Sequence, residues 1–185
     1  PQIHSLSMIA EEKALLKNSD ADHQRVVYLK GVDSNYQNVS GVAAKIVQGK
    51  FNTGTVDDPG IVVGYGIQNA AGVSVDEKLQ PSVVTLILPK KNTGSADPLE
   101  SLSEGNATAS AVFAIQEDFD NKYAISNIGF VKQQMSFGAD EYSADEGAYD
   151  GAGQRKEAHG FRQRRQIQRP HKANWQALEK AQRHQ

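Results

Sequence analysis

The apolar residues along the chain outline a series of short strands broken by a few short helices. Residues 3 to 16 read as a strand with an extension: Ile-His-Ser-Leu-Ser-Met-Ile, a more polar Glu-Glu-Lys, then Ala14-Leu15-Leu16. Asn18 to Asp22 is a turn, where short polar side chains bond their own backbone. Arg25 to Val32 is rich in β-branched and aromatic residues and reads as a strand that folds back on the first as a hairpin. Residues 33 to 38 are polar and loop-like. Val39, Val42, Ala43, Ile46 and Val47 then recur at helical spacing, with Gly49 in the place of a C-terminal cap, and predict a helix.

Asn52 to Gly60 is a loop, Ile61-Val62-Val63 a short buried strand, and Gly64 to Ala71 a short helix with Ile67 and Ala70 or Ala71 inward, stopped by Gly72. Val83 to Leu88 is the strongest strand in the chain and ends at Pro89. Its positions are apolar on alternate sides, which predicts an interior strand covered on both faces. Lys90 to Asn106 is a polar loop of 17 residues. That exceeds the usual connection, and such loops tend to be functional or disordered. Ala107 to Ile115 and Lys122 to Ile125 read as strands. Ile128 to Phe137 reads as a helix with Ile128, Val131, and Gln134 or Met135 on one face. Tyr142 to Tyr149 is a weak strand, with Ala, Asp, Glu and Gly where apolar residues would alternate. The pattern predicts an α+β fold with a mixed or antiparallel sheet and short helices. There is no apolar run near the 18 residues a membrane helix needs.

Charge divides the chain. Residues 151 to 185 hold nine Lys/Arg against two acids, whereas residues 1 to 150 hold eleven against twenty, for a net charge of −2. We therefore read residues 1–150 as the folded unit, as one body or two subdomains, and 151–185 as a basic, poorly packed segment. Within it, Asn174 to Gln182 predicts a short helix with Asn174 as N-cap and Trp175 and Leu178 on one side. A nucleic-acid or membrane-surface patch is one reading of the segment, and a stretch out of the native reading frame is another. A solvated tail without nucleic-acid partners is preferred. No basic region followed by an apolar one marks a signal peptide, so the chain reads as part of a longer protein.

The usual catalytic patterns do not assemble. Gly64-Tyr-Gly66 follows a strand as a dinucleotide fingerprint would, but position 69 is Asn where a third glycine belongs. Asp33-Ser-Asn35 begins like a calcium loop, yet Asn38 and Ala44 stand where Gly and Glu are required. The five His residues have no paired helical spacing for a metal, and Asp57-Asp58 sits before Pro59-Gly60 in a turn. Cysteine is absent, no serine lies in a nucleophile elbow, and there is no phosphate-binding loop. The chain is expected to have no cofactor or metal and not to be an enzyme.

Residues 26 to 143 carry an ordered series of pieces: Leu29-Lys-Gly-Val-Asp33; Val42 through Gly49-Lys-Phe51; Gly60-Ile-Val-Val-Gly64 through Gly72-Val-Ser-Val75; Leu86-Ile-Leu-Pro-Lys-Lys91; and Ala111 through Asp120-Asn-Lys-Tyr123 to Phe130-Val-Lys-Gln-Gln-Met135. In order and spacing this series resembles the periplasmic domain of lipoprotein-releasing (Lol-type) ABC-transporter permeases, within the class shared with the macrolide-export (MacB-like) and FtsX-like permeases. In style it looks like the Bacteroidetes branch. Gln80-Pro81-Ser82 lengthens a turn that is short in the family.

The resemblance implies a domain on the periplasmic side of the inner (cell) membrane. It would be tethered by transmembrane helices, working with a partner permease subunit and a cytoplasmic ATPase, and passing lipoprotein cargo to a periplasmic carrier. It also implies that the loop after Leu88 is a hook for that carrier. The candidate partner-binding residues are Pro98 and Leu99 at its tip, Leu102, and Lys90 and Lys91 at its base, where they would steer an acidic carrier. The alternative is an FtsX-like or macrolide-export-like domain that binds another periplasmic partner, and a small enzyme is the third reading.

Overall fold

A computed structural model of the chain describes residues 3–19, 22–76, 78, 80–91 and 100–149. Strands β1 (Ile3–Asn18) and β2 (His23–Val32) form the expected hairpin, antiparallel from Ile9↔Val32 to Asn18↔His23. After α1 (Tyr36–Ser40) and a 3₁₀ turn (Val42–Lys45) come β3 (Ile46–Gly49), β4 (Gly60–Gly64) and α2 (Tyr65–Ala71). Then follow β5 (Val83–Pro89), β6 (Leu102–Phe113), α3 (Glu117–Asp120), β7 (Tyr123–Asn127), α4 (Ile128–Met135) and β8 (Ala144–Tyr149). The fold is α+β, a mixed sheet with short helices.

All eight strands belong to one sheet. β2 pairs with β7 in parallel, β7 with β4 antiparallel, β4 with β6 in parallel, and β6 with β5 antiparallel. β5 then meets β1 through Leu15↔Ile87 to Asn18↔Val84, so the pairings close into a ring. β3 adds to the end of β6, and β8 to the first half of β1. Helices α2 and α4 pack on one face of this curled sheet. Ile67, Ala71, Phe130, Val131 and Met135 meet Leu16, Leu29, Val63, Val84, Leu86 and Leu88 there. Each of the larger of these side chains, fully buried, contributes about 1.5–3 kcal/mol. Asn127 starts α4 by accepting hydrogen bonds from the N–H groups of Gly129 (2.9 Å) and Phe130 (3.3 Å). A smaller cluster on the opposite face joins Ile9, Val32, Tyr36, Val42, Val62, Phe113 and Ile125.

Four expectations need correction. The helix expected over residues 39 to 47 is three pieces, because Gly41 adopts φ +66° and ends α1, and residues 46–49 take up the edge of β6 instead. Val83–Pro89 is an interior strand, but its two faces are covered unequally: Val84, Leu86 and Leu88 are buried, whereas on the other face Thr85 and Ile87 are half-buried and Val83 is 47% exposed. The loop expected to reach Asn106 ends earlier, since residues 102–106 pair with β5 from Leu102↔Pro89 to Asn106↔Thr85. β6 likewise stops at Phe113, and a short α3 follows that the apolar pattern does not indicate. The expected helix at 174–182 and the basic segment lie outside the described residues.

Candidate partner-binding site

The base of the β5–β6 hairpin is fixed to the rest of the molecule. The Lys90 N–H donates to the Ser101 carbonyl (2.7 Å), and its Nζ lies 3.4 Å from the Glu100 carbonyl. The Lys91 N–H donates to the carbonyl of Met135, the last residue of α4 (2.9 Å). Its Nζ pairs with Glu141 Oε1 at 2.5 Å and sits 5.5 Å from the centre of the Phe137 ring. Glu141 also accepts the Gly138 N–H (2.9 Å). The hydrogen bond from Lys91 first, and the Gly138 N–H second, hold the Glu141 carboxyl below its ordinary pKa. The Ser103 hydroxyl donates to the Gln134 carbonyl (2.6 Å), a second tie to α4.

Lys90, Lys91 and Leu102 thus come together at one end of the sheet, with Leu102 half-buried opposite Pro89. Pro98 and Leu99, the tip residues, lie outside the described residues. Lys91, expected as a steering charge, is engaged with Glu141. The anchoring role of Phe137, Glu141 and Ser103 was not visible in the sequence, because polar residues in a Gly-Ala-Asp-Glu turn give no periodic signal.

A second feature was also missed, a small aromatic cleft lined by Lys30, Tyr36, Phe113, Ile115, Phe119, Tyr123 and Ile125. Tyr123 stacks on Phe119 (4.5 Å between ring centres) and on Tyr28 (5.5 Å). Buried Lys30 lies 3.9 Å from Glu11 Oε2 and about as close to the Tyr36 and Tyr123 rings as a cation–π contact requires, at 5.7 and 5.6 Å. The acidic-aromatic step 117–123 was the hint in the sequence. Its ring partner Tyr28, and Tyr36 across the cleft, lie more than eighty residues away and are supplied by tertiary folding.

Gly64 and Gly66 are packing residues. A Cβ on Gly64 would stand 2.2 Å from the Asp120 carbonyl oxygen, and one on Gly66 2.0 Å from Asn121 Oδ1. The glycines let the β4–α2 corner close against α3. Among the described residues, no three His, Asp or Glu side chains are grouped so that they could hold a metal ion, and no helix is long and apolar enough to cross a membrane.

Two solved structures share this arrangement of strands and helices. The periplasmic region of MacB from Actinobacillus actinomycetemcomitans matches with a TM-score of 0.50 at 14% identity, over 78% of this chain and 56% of that one. The fold is that of a MacB-like periplasmic domain. The extracellular domain of the noncanonic ABC-type transporter YknZ from Gram-positive bacteria matches with a TM-score of 0.50 at 12% identity, over 81% of this chain and 67% of that one. At these identities the likeness is one of fold, and the chain spans little more than half of the MacB region. No family model and no curated protein matches the sequence. Among the described residues of this MacB-like fold the first and last strands are neighbours, with Ile3 opposite Tyr149, so the backbone enters and leaves the described body at one end.

Proposed function

We propose that this chain is the extracytoplasmic domain of an ABC-transporter permease, a module for binding and coupling rather than an enzyme. The observation that carries the reading is the pairing of Ile3 with Tyr149 in a MacB-like fold. A domain inserted between two membrane helices must receive and return its chain on one side, and the described body, residues 3 to 149, has both its ends there. The test is the coding sequence on either side of these residues. Membrane-spanning segments should lie directly before and after them, and a cytoplasmic ATPase should co-purify with the full-length product. Flanks without such segments would sink the reading.

Within that class we read the domain as one that helps release lipoproteins from the inner membrane to a periplasmic carrier. The β5–β6 hairpin would make the contact, with Pro98 and Leu99 as its tip. What supports this is the order of sequence pieces from residue 26 to 143 and a hairpin whose base is braced on α4 through the Lys91 N–H and the Ser103 hydroxyl. A rigid base lowers the entropy lost on binding. The second reading, a macrolide-export-like or FtsX-like domain with another periplasmic partner, draws on the same fold and on its likeness to the MacB and YknZ domains. A carrier captured by cross-linking from the hairpin favours the first, and a channel adaptor or hydrolase activator favours the second.

A further inference from the structure

The first strand changes partners along its length. Ile3–Ile9 pairs with β8 on one edge and Ile9–Asn18 with β2 on the other, so the two ladders overlap at Ile9 alone. Two side chains carry the ladders across this changeover. Just past the end of β2, Asp33 accepts the Met8 N–H (3.0 Å) and the hydroxyl of fully buried Ser7 (2.8 Å). Just before β8, Ser143 donates its N–H to the Ile9 carbonyl (2.8 Å). Its hydroxyl accepts the Glu11 N–H (3.0 Å) and donates to the Glu11 carbonyl (3.2 Å). Asp33 is itself seated, accepting the Asn35 N–H (3.0 Å) in the turn that leads into α1. Helix α1 packs against both β1 and β8.

We propose that Asp33 and Ser143 form a clamp that makes the β1–β8 ribbon, by which the backbone enters and leaves the body, a rigid arm with one fixed direction. A two-stranded ribbon is marginal in water by itself. This one projects from a closed ring of strands, and without the clamp it would hinge where the ladders change over. With both edges bonded around residues 7–11, β1 runs as one continuous strand from the arm into the ring. A fixed arm sets the height and tilt of the domain over its membrane anchor. That use rests on the permease reading above, whereas the rigidity of the arm does not.

The chain has no cysteine, so introduced cysteines can be spin-labelled selectively. Leu6→Cys with Asn69→Cys measures arm against body, and Asn69→Cys with Val83→Cys measures two exposed points within the body. In the full chain both pairs should give a single narrow distance peak. Adding Asp33→Ala and Ser143→Ala should abolish the narrow peak of the arm pair and leave the body pair unchanged. An arm pair that stays narrow in that variant, or one already broad in the chain that keeps Asp33 and Ser143, overturns the proposal. Should the double variant disturb the body pair, Ser143→Ala alone decides. It removes only the hydroxyl bonds, and amide exchange over residues 3–8 should then accelerate about tenfold. Unchanged exchange overturns the clamp. Unaltered transport in a variant whose arm distance has broadened speaks against the permease reading and leaves the clamp standing.

Discussion

Lys91 and Glu141, fifty residues apart in the chain, meet at 2.5 Å and tie the β5–β6 hairpin to the segment after α4. The pair predicts a pH dependence. Glu141 has its pKa lowered in the folded state, chiefly by the Lys91 hydrogen bond and then by the Gly138 N–H. A depressed carboxylate contributes stability above its unfolded pKa, ordinarily 4.5, and loses it as the pH falls through the lower folded value. Glu141→Gln should therefore lower the urea midpoint at pH 7, with the difference from the parent vanishing well below pH 4.5. A difference that persists at the acid end would mean the carboxylate charge is not what stabilises the turn.

Gly64→Ala should destabilise the domain by about 1–3 kcal/mol, because the new methyl meets backbone that cannot easily move. The Asp120 carbonyl oxygen would be 2.2 Å from it. Gly138→Ala is the control. Its nearest neighbour is the Glu141 side chain at 3.7 Å, and the change should stay within about 0.5 kcal/mol. Chemical denaturation of both variants checks the pair, and equal effects would refute the close approach.

Leu16 and Leu86 are opposite each other on β1 and β5 and are both fully buried. This short four-residue pairing closes the ring. Each Leu→Ala change should cost about 2–5 kcal/mol. The double variant should cost less or more than the sum by about 0.5 kcal/mol or greater, since neighbours share one cavity. Strict additivity in a double-mutant cycle would separate the two sites and argue against this closure.

On the carrier reading, Leu99→Asp should weaken binding of the cognate carrier by about 2 kcal/mol or more, roughly 30-fold. Lys90→Glu should slow association in low salt, whereas Lys91 acts through its ion pair and its removal should register in stability. Surface binding kinetics on variants with unchanged melting check both. Full affinity in Leu99→Asp removes the hairpin tip as the contact.

The purified chain should show no ATP turnover above a mock preparation, since no stretch of it has the Gly-rich Lys-Ser/Thr pattern that cradles phosphates. Turnover that follows the protein through successive columns would overturn the non-enzymatic reading.

Much of the fold is legible in the order of the residues, and the reason is local. Ile61-Val62-Val63 and Val83 to Leu88 read as strands with an apolar core side, while Ile67 with Ala71, and Val131 with Met135, mark helical faces whose ends are set by Gly72 and by the Asn127 cap. Such patterns record which side of a segment is dry, and that survives reading one residue at a time. What tertiary structure decided is where hydrogen-bonding partners come from. Residues 102–106, Leu-Ser-Glu-Gly-Asn, look like loop and are strand because β5 offers them a ladder. Ala144–Tyr149 has little apolar alternation and is held as a strand along β1, while residues 46–49 leave a helical pattern for the edge of β6. The candidate site divides the same way. Lys90 and Lys91 stand out at the start of a long polar insertion and Leu102 as an apolar residue within it, but Glu141, Phe137 and Ser103 acquire their roles only when α4 is laid beside the hairpin. A backbone ladder satisfies its N–H and C=O groups with whatever edge folding brings close, and that edge is written far away in the chain.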